Sequence, residues 1–176
     1  MSRKPNLTEL KKQLRKKTQN ELVEEIAHLY KRFSNVKEFY QASFFDDDSA
    51  VLEKYKKIVR DEYIPSGRRQ FPRMRASVAK KAISDYKKVS SSSTGLADIM
   101  LTFVESGVWC TREYGDIDEP FYSSMESMYE TAVKFIKKEG LVQIFDDRLC
   151  DLLDKTSKMG WGFHDTLSET YETYLG

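Results

Sequence analysis

A chain of 176 residues that is 40% hydrophobic and 32% charged is too apolar to stay disordered, and long enough to bury roughly 70% of its extended surface in one core. It has no apolar run near the roughly 20 residues that a bilayer crossing needs, and no apolar stretch behind its charged N-terminus, so a cytoplasmic protein without membrane insertion is expected. The net charge of +1 combines a basic half, 22 Lys and Arg against 12 Asp and Glu in residues 1–88, with an acidic half, 7 against 16.

In chain order, the first helix is expected from Leu7 to Lys16, capped by Asn6 or Thr8, with Leu7, Leu10 and Leu14 as its apolar stripe. Thr18 and Glu21 form a capping-box pattern that restarts the helix, whose buried side is read as Leu22, Ile26, Leu29, Tyr30 and Phe33. So short a connection predicts that the two helices fold back on each other as an αα-hairpin. A third helix carries Val36, Phe39, Tyr40 and Phe44, followed by an acidic junction at Asp46, Asp47 and Asp48. Acidic groups there suit the unpaired amides of the next helix, whose core face is Val51, Leu52, Tyr55, Ile58, Val59 and Tyr63.

Pro65 and Gly67 end that helix, and GRRQFPRMR is the least regular part of the basic half. Pro72 is expected to open the next helix, which carries Met74, Val78, Ala82, Ile83 and Tyr86 at helical spacing. The serine-rich stretch 90–95 is a possible subdomain boundary and coincides with the charge reversal. Leu96, Ile99, Met100, Phe103 and Val104 then mark a buried face, and Gly107 and Gly115 bracket a continuation of uncertain extent. Asp118 and Pro120 start another helix, with Phe121, Met125, Tyr129, Ala132 and Ile136 inward, closed by Gly140. Leu141, Ile144, Phe145, Leu149, Leu152 and Leu153 line the next, and GWG at 160–162 precedes a last helix from about Asp165 to Tyr174. The expected fold is all-α: one domain over 1–176, an irregular bundle of about eight or nine helices built from αα-hairpins, without a fixed repeat.

Reactive-site motifs are missing. No GxGxxG, P-loop, HExxH or CxxC pattern occurs, so no cofactor, metal or catalytic residue is expected. Cys110 and Cys150 read as free, partly buried thiols in a reducing compartment, and His28 as a helix-surface histidine. The polar segments that remain carry the candidates. Arg68, Arg69, Arg73 and Arg75 form a basic cluster, for which the acidic junction is a possible internal partner. Asp116 and Asp118 belong either to a helix cap or to an interaction patch, and Tyr114, Trp161, His164 and Asp165 make an alternative polar site. Asp165 is read chiefly as the cap of the last helix.

Three blocks, LTELKKQLRKKTQNELVEEIAHLYKRFSNVKEFY, YGDIDEPFYSSMESMYETAVKFIKKEGL and MGWGFHDTLSETY, resemble in order and spacing the bacterial domain-of-unknown-function family 6155 (DUF6155), over roughly residues 5–174. The YGDID…FY segment together with GWGFHD is the more specific part. The resemblance implies a bacterial cytoplasmic origin and a single helical domain. It brings no reaction, and leaves the roles of Asp116, Asp118 and His164 open.

The expected function is a helical protein-interaction domain, an adaptor or regulatory subunit, that binds a protein partner or itself. Apolar helix faces and opposite charge on the two halves favour this reading. One alternative is a nucleic-acid-binding protein that uses the basic N-terminal half. Another is an enzyme or metal-binding protein centred on segments 114–119 and 161–165.

Overall fold

The computed structural model describes residues 6–44 and 48–176. Asp46 and Asp47 of the acidic junction lie outside them. Among the described residues there are nine helices and no strands: α1 (Leu7–Leu14), α2 (Gln19–Arg32), α3 (Ser34–Phe44), α4 (Asp48–Tyr63), α5 (Ala76–Val89), α6 (Ser93–Tyr114), α7 (Glu119–Lys138), α8 (Val142–Thr156) and α9 (Phe163–Leu175). No helix among them is long and apolar enough to cross a membrane.

The core is organised around α6. Fourteen of its 22 residues are buried, so it is enclosed on several sides, and α4, α5, α7 and α8 all pack on it. Its polar residues are accommodated locally. Thr102 donates to the Asp98 carbonyl at 2.8 Å and Ser106 to the Thr102 carbonyl at 2.6 Å. Gly107 does not interrupt the helix. A Cβ there would overlap the end of the buried Met125 side chain, so the missing side chain lets α7 approach closely. Gly95 does the same for α5, because a Cβ would run into the Tyr86 hydroxyl.

Local signals set four of the nine described helix starts. Thr18 and Glu21 close the capping box of α2, and Asn6 with Glu9 closes one for α1. Ser92 caps α6 by accepting from the Gly95 amide at 3.0 Å. Asp118 caps α7 by accepting from the Phe121 amide at 2.9 Å. Two starts differ from expectation. Residues 72–75 are not helical, and α5 begins at Ala76 because Met74 is held at φ 53°. The last helix is entered through Gly162 at φ 70°, so Asp165 lies inside its first turn rather than at the cap. Its charge there still favours the helix dipole.

The buried cluster runs without interruption from Val51 to Leu167, through both sides of 90–95. Neighbours in sequence, α4 with α5, α6 with α7 and α8 with α9, pack on each other. The first pair is the exception: α1 and α2 share no extensive contact and bury no residue. The stripe read as the inward side of α2 is in large part at the surface, with Ile26, Leu29 and Phe33 exposed. Ile144 of α8 is also exposed, as is Cys150, whereas Cys110 is fully buried.

Candidate functional site

The loop between α4 and α5 carries the basic cluster, and Glu62 on the last turn of α4 organises it. Its buried carboxylate accepts from Arg75 Nε at 2.9 Å and Arg75 Nη2 at 2.8 Å, with Arg73 at 3.8 Å. Its backbone carbonyl accepts from the Arg73 and Met74 amides, both at 2.8 Å. Hydrogen bonding from Arg75 holds the carboxyl below the usual carboxylate range despite burial. Arg69 donates to the Asp61 carbonyl at 2.7 Å and to Ser66, while Arg68 is exposed. Among the described residues the internal partner of Arg73 and Arg75 is Glu62 of α4, and not Asp48 of the acidic junction. Asp48, the described member of that junction, instead accepts from Tyr86 at 2.8 Å.

The loop and the end of α6 meet. Tyr114 donates to the Gln70 carbonyl at 3.1 Å, and its ring lies 6.2 Å from Phe71 and 6.3 Å from Trp109. Segments 114–119 and 160–164 also approach: Asp116 accepts from Tyr122 at 2.7 Å beside Gly160, and Tyr122 packs on Phe163. His164 does not turn toward these carboxylates. Its Nδ1 pairs with Thr156 at 3.1 Å and its Nε2 lies 3.5 Å from Ser168. Asp165 and Trp161 are exposed, the latter at φ 62°. Both ring nitrogens of His164 thus face hydroxyls rather than the carboxylates of segment 114–119. Among the described residues no group of three or more His, Cys, Asp or Glu converges in a way that holds a metal. Burial pushes the Cys110 thiol up to about 11, which leaves it protonated and unreactive at neutral pH.

A cleft of about 460 Å³ lies between α4, α6 and α8, with Trp109 and Arg148 in its lining. Arg148 is bound on all sides: Nε donates to Glu105 at 2.5 Å, Nη1 to Asp98 at 2.5 Å, and Nη2 to Glu105 at 2.7 Å and Thr102 at 3.2 Å. Lys56 of α4 adds a bond to Asp98 at 2.9 Å. Burial pushes the Asp98 carboxyl up, but hydrogen bonds from Lys56 and Arg148 outweigh it and leave the group below its ordinary value. This arrangement clamps α8 and α4 onto α6 and engages all three guanidinium nitrogens of Arg148.

A family model described as "Family of unknown function (DUF6155)" matches residues 1–174. The chain belongs to the DUF6155 family. No curated protein and no solved structure matches it. On this DUF6155 chain, the surface feature that sequence reasoning missed is apolar. Leu7, Leu10, Val23, Ile26, Leu29, Phe33, Phe39 and Phe44 are all exposed, Phe44 to 71%. Rings link part of this surface: Tyr40 of α3 lies 6.3 Å from Tyr30 of α2, 5.4 Å from Phe39 and 5.2 Å from Phe44. Helical periodicity marks these residues in the sequence, but periodicity reports a stripe and not whether the stripe is covered. In the DUF6155 fold α3 is anchored to α4 through its one buried residue, Glu38, which accepts from Tyr55 at 2.7 Å and Lys54 at 2.6 Å.

Proposed function

We propose that this DUF6155 protein is a protein-interaction domain, an adaptor or regulatory subunit, that binds partners through the apolar surface of α1–α3 while α4–α9 form a rigid carrier. One observation carries this reading: among the described residues, eight of the thirteen exposed large hydrophobic side chains fall between Leu7 and Phe44. Scattered apolar residues are ordinary on a protein surface, whereas a concentration on consecutive helices marks a contact region. Apolar helix faces of this kind bind other helices or hydrophobic grooves, and Lys11 and Lys12 of α1, with Arg15 and Lys16 just after it, favour a partner with acidic residues beside its apolar contacts. Two free thiols, Cys110 and Cys150, suit a reducing cytoplasmic setting.

The basic loop is a weaker candidate, because Arg73 and Arg75 are committed to Glu62. Lys81 and Lys88 pair with Asp85 in the same way, which lessens the charge available to a nucleic acid. The test is affinity capture from the native cell at low salt, with protein and nucleic acid identified separately, for the intact chain and a Leu10→Glu, Ile26→Glu, Leu29→Glu variant. Selective proteins held by the intact chain and lost by the variant are expected. Identical retention by both, or recovery of nucleic acid alone, overturns the reading.

A further inference from the structure

The surface of α2 carries more information than exposure alone. Leu22, Ile26 and Leu29 of α2 and Phe33 at its C-cap follow one another at spacings of four, three and four residues. With Val23 and Tyr30 on one flank they form an apolar stripe of the width that one helix lays on another element. Among the described residues nothing extensive covers it: the one helix in extensive contact with α2 is α3, where the Tyr30 ring meets Tyr40, and Ile26 and Leu29 remain 41% and 38% exposed. The rings of Phe39 and Phe44 continue the apolar surface from Tyr40 across α3.

The residues beside the seam say what fits. With Ile26 and Phe33 in the first core position of the heptad and Leu22 and Leu29 in the second, one flank holds Glu25 and Arg32 and the other holds Val23 and Tyr30. Arg32 lies over the Phe33 ring at 5.5 Å, at the edge of the seam. In an antiparallel pair of identical helices, equivalent flanks meet. Glu25 of each copy then faces Arg32 of the other, Val23 faces Tyr30, and the layers are Leu22 on Phe33 and Ile26 on Leu29. A parallel pair would set Glu25 against Tyr30 and match no charge. The ends of the helix agree with the antiparallel order, since Glu21, Glu24 and Glu25 occupy its first half and Lys31 and Arg32 its last turn.

We infer that the partner of α2 is α2 of a second copy of this chain, paired antiparallel through the Leu22–Ile26–Leu29–Phe33 seam. This inference rests on the reading of α1–α3 as an interaction surface and names its occupant. Fourteen residues give a seam about 21 Å long, short of what a permanent dimer buries, so association is reversible and depends on concentration.

Sedimentation equilibrium of the full chain over a concentration series tests it. The intact chain is expected to show a monomer–dimer equilibrium, and Ile26→Glu to be monomeric throughout with an unchanged circular dichroism spectrum. Glu25→Lys and Arg32→Glu are each expected to weaken the dimer about tenfold, and the two together to restore it. Lys17→Gln, which removes only the Lys17–Glu25 pair within one chain, is expected to leave the dimer intact. An intact chain that stays monomeric, a dimer indifferent to Ile26→Glu, or failure of the double reversal to restore pairing overturns the inference. The capture experiment above then decides separately whether the surface binds other proteins.

Discussion

Glu62 shows at the scale of one residue how the fold uses charge. It is buried, yet Arg75 holds its carboxyl below the ordinary range. The folded value is therefore lower than the unfolded value of about 4.3. Its contribution to stability is complete above that unfolded value and is lost as pH falls through the depressed folded one. Replacing Arg75 by Gln leaves the carboxylate buried with only the more distant Arg73. The urea midpoint of the variant is expected to be lower at neutral pH, and to fall less than that of the parent between about pH 5 and pH 3. Parallel pH profiles for the two proteins would show that the pair is not coupled to folding. Gly95 makes a second case. Alanine is the better helix former by about 1 kcal/mol, but its methyl would displace the buried Tyr86 ring, which bonds Asp48. Gly95→Ala is expected to destabilise by about 1–3 kcal/mol in urea titration. A gain in stability would mean that the α5–α6 approach is looser than described. Neither Glu62 nor Gly95 stands out in the sequence, because the partner of each is distant along the chain.

At the scale of elements, α2 and α6 are instructive opposites. Both carry apolar residues at helical spacing, but among the described residues α6 packs on four other helices, whereas α2 has extensive contact with α3 and no other helix. The periodic signal on α2 is clear, and for that reason its residues are easily assigned to a core they do not reach. The capping signals proved more local and hence more readable: Thr18, Ser92 and Asp118 each bond an amide three residues ahead. At Pro72 the sequence preference was overridden, since Glu62 captures the Arg73 and Met74 amides and delays α5 to Ala76. The junction of α3 with the body rests on Tyr55, whose hydroxyl bonds the buried Glu38 and is pushed well above its usual value by burial and that carboxylate. Tyr55→Phe is expected to raise amide hydrogen exchange across 34–44 while α6 and α7 keep their protection. Equal loss of protection everywhere would show that α3 is part of the body.

At the scale of the molecule, the opposite charges of the two halves are scarcely expressed as contacts. Among the described residues, Lys56–Asp98 is the one ion pair that joins residues before 90 to residues after 95, and the others lie within a half. What joins the halves is the apolar cluster that spans them. Urea unfolding followed by helical circular dichroism and by tryptophan fluorescence is expected to give one coincident transition for α4–α9. Raising salt to 1 M, where charges are screened beyond about 3 Å, is expected to move its midpoint little. Two separated transitions would make 90–95 a true boundary, and a large salt effect would restore the attraction between halves as an organising force.

The sequence by itself determined that the chain is helical, that it holds about eight or nine helices, and where most of them begin. Periodicity and capping act over three or four residues, and so can be read from the chain alone. Only the tertiary structure decided which stripes are covered, why Gly107 lies within a continuous helix, and which carboxylate each arginine meets. Those outcomes depend on groups brought together from far apart in the chain. The exposed seam of α2 is written in the sequence as clearly as the buried face of α7, and only the packing of the remaining helices tells the two apart.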